Sequence, residues 1–120
     1  MNMAAGQILA VVREWLADFS RCLESAEADA KKCGEECGER ERAACEEDYA
    51  VTVYAIWENG GVDMFEVRDA SDVEKKLLHY LSAIETEDVF IDPSCGGRPC
   101  IIHVVGRRGV LIITQGMPEL

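Results

Sequence analysis

With 120 residues the chain has the length of one folded domain, and an apolar share of 48% beside 29% charged residues disfavours both a disordered tract and a fibrous repeat. Twenty-three acidic against twelve basic side chains leave a net charge of −11 spread over both halves, a field that repels phosphate backbones and argues against direct nucleic-acid binding. The longest apolar runs, residues 8–12 and 110–113, fall far short of the roughly 20 residues needed to cross a bilayer. Arg13 and Glu14 interrupt any secretory leader pattern, so no membrane association and a cytoplasmic location are expected.

Ile8, Val12, Trp15, Phe19, Cys22, Ala26 and Ala30 recur at spacings of three and four, which predicts a long amphipathic helix with its charges mostly on other faces. Cys33-Gly34 and Cys37-Gly38 interrupt that pattern, and glycine commonly follows a helix end, so a turn is expected there. A second helix is predicted from Glu39 to about Asp48. A single uninterrupted helix is the alternative, at a cost of about 1 kcal/mol for each glycine.

From Tyr49 the residue types change to β-branched and aromatic: Val51, Thr52, Val53, Tyr54, Ile56 and Trp57 predict a strand. The Asn59-Gly60 pair favours a tight turn into a second strand carrying Val62, Met64, Phe65 and Val67. Ser71 with Glu74 reads as a capping box opening a helix whose inner face holds Val73, Leu77, Tyr80, Leu81 and Ile84. A short strand over 89–91 must end at Pro93, and residues 95–100 read as a loop. Strands over 101–105 and 110–114 then flank a turn at 106–109. Both are apolar at nearly every position, which predicts central strands with both sheet faces hidden, by the N-terminal helices or by a second copy of the chain.

The expected fold is α+β. An N-terminal helical hairpin, or long helix, precedes a β-hairpin, a helix and three further strands in a mixed or antiparallel sheet of about five strands. One domain spans 1–120, helical over 1–48 and a sheet with one helix over 49–116.

Six cysteines are many for an intracellular chain of this size. Bridges in such a compartment occur chiefly in hyperthermophiles, and the scarcity of Asn and Gln agrees with a thermophilic source. If the helices double back at the glycines, Cys22 faces Cys45 and Cys33 faces Cys37, within reach of disulfide bonds. Cys95 and Cys100, on a loop with Gly96, Gly97 and Pro99, form a third candidate pair. Free buried thiols remain open for the helical cysteines. For Cys95 and Cys100 a redox-active pair remains open, as does half of a four-thiolate metal site whose other half is Cys33 and Cys37, although neither spacing is the C-x2-C of a zinc ribbon.

His79 and His103 are isolated from one another in sequence and read as surface or satisfied residues. The carboxylates Glu85, Glu87, Asp88 and Asp92 surround one loop and read as solvated, and Arg107-Arg108 reads as a charged turn. No nucleophile motif or glycine-rich phosphate loop occurs, and no cofactor is expected. The function expected is that of an acidic interaction module that self-associates through Trp15 and Phe19 of the helical stripe, or through the strand around Val110. A thiol-redox or metal protein using Cys95 and Cys100, and an acidic inhibitor that mimics nucleic acid, are the alternatives.

Overall fold

A computed structural model describes residues 2–92 and 101–116. The stripe forms α1 (Asn2–Cys33), and α2 (Glu35–Tyr49) runs back along its second half. Gly34 makes the reversal at φ 98°, a conformation costly for any residue with a Cβ. Helix α2 therefore starts four residues earlier than predicted. Gly38 is inside it and not at a break, because the two helices touch there: a Cβ on Gly38 would overlap that of Ala30. Gly38→Leu is expected to force the helices apart and to cost about 2 kcal/mol, as overpacked contacts do. A thermal melt followed by circular dichroism checks it.

The sheet contains β1 (Val51–Trp57), β2 (Val62–Val67), β3 (Thr86–Asp92), β4 (Ile101–Gly106) and β5 (Gly109–Gln115). Their order is β2-β1-β5-β4-β3 with every neighbouring pair antiparallel. The turn between β1 and β2 falls at Asn59-Gly60, where the Gly61 N–H donates to Asn59 Oδ1 at 2.9 Å. β5 occupies the centre, as its apolar run predicts.

Between β2 and β3 the segments Ala70–Asp72, a π-helical stretch Val73–Leu77 and Leu78–Ala83 run on as one helix, α3, over 70–83. Its cap is not Ser71 with Glu74 but Asp69 with Asp72, two residues earlier. The Asp72 N–H donates to Asp69 Oδ1 at 2.9 Å, and the Arg68 N–H donates to Asp72 Oδ2 at 3.0 Å. The logic of the capping box is kept with shorter acids. Asp69→Ala should cost about 1 kcal/mol, read as a lower urea midpoint.

Helices α1 and α3 lie on the same side of the sheet. Ile8, Val12, Trp15 and Leu16 of α1 meet Val73, Leu77 and Leu81 of α3, and Ile84 just past its end, over Val51, Val53, Val67, Ile102, Val104, Leu111 and Ile113. Each such fully buried aliphatic side chain contributes about 1.5–3 kcal/mol. Asp63 at the rim of this layer accepts hydrogen bonds from Trp57 Nε1 at 2.9 Å and from the Tyr80 hydroxyl at 3.4 Å. Desolvation, reinforced by Asp63, raises the Tyr80 phenol above its ordinary pKa, and Phe65 stacks on its ring at 4.9 Å.

The second half of α1 leaves the sheet and packs on α2 around Phe19, Ala26 and Cys45. The hairpin thus projects. The longest dimension is 51 Å and the radius of gyration 15.6 Å, against about 13.5 Å for a rounded chain of this length. Among the described residues, no helix is long and apolar enough to cross a membrane.

Candidate functional site

Side chains alternate across a strand, so Val51, Val53 and Ala55 enter the core while Thr52, Tyr54 and Ile56 point to the opposite face. The register carries this alternation across the sheet. One row of the opposite face runs Phe90, His103, Ile112, Tyr54, Met64. The next runs Asp88, Val105, Val110, Ile56, Val62. A third, toward the end of α2, includes Ile101, Thr114, Thr52 and Glu66.

The expectation that both faces are hidden is not met: α1 and α3 pack on one side, whereas on the other α2 reaches only the end row, where Thr114 is buried and Glu46 and Glu47 line a cleft with Thr52 and Glu66. Met64 is 64% exposed, Val62 63% and Phe90 58%, with Ile56 and Val105 also open to solvent. At strand spacings of about 4.8 Å and residue rises of about 3.3 Å, the face measures about 24 Å by 20 Å. A largely apolar area of that size is the kind of patch that marks an interaction site. Its described carboxylates, Glu66 and Asp88, sit on the edge strands β2 and β3. The three inner strands contribute one ionisable side chain besides Tyr54, namely His103.

Trp15 and Phe19, expected to face a partner, are instead buried within the chain, at 2% and 5% exposure. The stripe that carries them is spent twice over, first on the sheet and then on α2. The strand around Val110, the other expected location, supplies the middle of the open face.

Cys22 and Cys45 are brought to disulfide distance with Cα atoms 5.7 Å apart, and Cys33 and Cys37 likewise at 5.8 Å. The first pair faces across the two helices well beyond the turn, and the second spans the turn at Gly34. Reduction is expected to raise the intact mass by one hydrogen per bridged sulphur, and alkylation of the native protein should leave these four sulphurs unmodified. Cys95 and Cys100 lie outside the described residues.

Beside Cys22–Cys45 an open groove of about 450 Å³ is lined by Asp18, Arg21, Asp29, Glu41 and Tyr49. Desolvation, and then the facing Asp29 carboxyl, raise Glu41 above its ordinary value of 4.5. The folded chain therefore holds this proton more tightly than the unfolded one, and stability falls as pH rises through the interval just above 4.5. Glu41→Gln should flatten that part of a urea-midpoint profile against pH.

His79 packs edge-on against Tyr80, ring centroids 5.6 Å apart. The turn at Arg107-Arg108 docks on the end of α3: both backbone N–H groups donate there, to Glu85 O and Ile84 O, and Arg108 Nε donates to Glu85 at 2.9 Å. Among the described residues no group of three His, Cys, Asp or Glu is placed to hold a metal ion.

The fold and this face define an α+β protein built on an antiparallel sheet that carries α1 and α3 on one side and, among the described residues, a largely open face on the other. Comparison with known proteins adds no family to that description: no family model, curated protein or solved structure matches the chain.

Proposed function

We propose that the chain is an acidic interaction module that self-associates and offers the outer surface of its helical hairpin to a partner protein. The open apolar face of the sheet carries this reading. A chain of net charge −11 has ample polar residues to cover a surface, yet Tyr54, Ile56, Met64, Phe90, Val105 and Ile112 gather on one side of it. The hairpin supplies the second surface. Helix α2 has seven carboxylates against Arg40 and Arg42, and the cysteine pairs at disulfide distance brace it away from the sheet.

Sedimentation equilibrium over a range of concentrations tests self-association: the weight-average mass should rise above the 13.3 kDa of one chain. A mass that stays at one chain throughout defeats it. Added salt should strengthen the association, because screening shortens the reach of like charges to about 8 Å at physiological ionic strength while leaving apolar contact intact. Weakening by salt would point instead to contacts between opposite charges.

A further inference from the structure

Resting on that reading, we infer that the partner on the open face is a second copy of this chain, stacked sheet against sheet in a two-fold dimer. Three observations lead there. The first is size. An α-helix with its side chains is about 10–12 Å across, so one docked helix would leave half of a face about 24 Å wide still wet. A second sheet of equal width covers all of it, since packed sheets lie about 10 Å apart with their strands nearly aligned. Two footprints of about 480 Å², enlarged by side-chain relief, reach the range of about 1,200 Å² at which specific interfaces begin.

The second observation is the placement of charge. Two copies of so acidic a chain repel one another, and a self-interface must keep carboxylates out of its centre. The face does this. Glu66 and Asp88 stand on the outermost strands, where they stay hydrated in a stacked pair, and the three strands between carry mainly apolar side chains with His103 and two threonines but no carboxylate.

The third concerns the rival mode of self-association, in which strands of two copies pair edge to edge. Both sheet edges are acidic: β2 carries Asp63 and Glu66, and β3 carries Glu87 and Asp88, with a bulge between Thr86 and Asp88. Like charges and a bulge on an edge oppose its extension by another copy of itself. The face, being the same patch on both molecules, suits the self-complementary contact of a two-fold pair.

The test is sedimentation equilibrium of the parent, of Ile56→Lys/Val105→Lys, and of Leu78→Lys. Ile56 and Val105 flank Val110 in one row and are solvent-open in the single chain, so the lone chain tolerates lysine there. Leu78 is as exposed but lies on α3, across the sheet. Lysines lower the net negative charge, so general electrostatics favours association of both variants. Only the face predicts the opposite.

The expected result is a dimeric parent, a dimeric Leu78→Lys, and a double variant weakened at least about a hundredfold, the effect of charges buried without partners. A double variant that associates like the parent overturns the stacked arrangement and leaves self-association standing. A parent that is monomeric at every concentration overturns both. If circular dichroism shows the lysine pair unfolded, Ile56→Thr/Val105→Thr/Ile112→Thr keeps β-branched side chains, and the same outcomes decide.

Discussion

Replacing Cys22 and Cys45 together by alanine is expected to lower the unfolding free energy by about 3 kcal/mol, the loop-closure value for cysteines 23 residues apart. For a chain of 120 residues this is a fall of about 12 °C in Tm. The effect is large because the hairpin has little else. Its buried apolar residues are Phe19, Ala26 and Cys45, with Cys22, Leu23 and Tyr49 partly covered, whereas the sheet side has sixteen buried residues in one cluster. Alanine is the replacement of choice, since a serine hydroxyl at position 45 would sit in an apolar contact.

Hydrogen exchange shows where the loss falls. Amides of α2 and of the second half of α1 should lose protection first, while β1, β4 and β5 retain theirs. Equal protection with and without the bridge would mean that helix contacts alone hold the hairpin. A bridge between Cys33 and Cys37 would close a shorter loop and is expected to contribute less, because closure entropy grows with loop length.

A comparable loss is expected from Ile113→Ala. Ile113 is fully buried and lies opposite both Val53 and Ile102 in the centre of the covered face, so truncation removes transfer free energy and opens a cavity, at about 3–4 kcal/mol. Its neighbour Ile112, one residue away on the same strand, points to the open face, and Ile112→Ala should cost under about 1 kcal/mol in the single chain. Urea unfolding at low protein concentration measures both. At high concentration a dimer adds to apparent stability by mass action, so the cost of Ile112→Ala should then grow while that of Ile113→Ala stays constant. Equal costs at both positions would mean that the second face is covered in solution.

Much of this architecture is legible in the residues. The stripe from Ile8 to Ala30, the reversal at Gly34, the Asn59-Gly60 turn and the central place of the strand around Val110 each rest on local chemistry: periodicity, tolerated φ, or side-chain shape. The facing of Cys22 with Cys45 and of Cys33 with Cys37 follows from the same source, since doubling a helix back at one point determines which positions meet. The start of α2 was less legible because Gly38 looks like a helix stop. Its purpose is contact with Ala30, which local sequence does not display. The cap at Asp69 and Asp72 was hidden in the same way by Ser71 and Glu74, which offer an equally good local pattern two residues on.

What the sequence determined by itself, then, is the set of elements and the points at which the chain turns, because each depends on neighbours within a few residues. Only the tertiary structure decided what each apolar surface meets. Trp15 and Phe19 lie on a stripe that suits a partner or a core equally well, and an apolar strand reads alike whether one face is covered or two. The choice was made by α1 and α3 landing on the same side of the sheet, which packs Ile113 inside and leaves Ile112 on the opposite face.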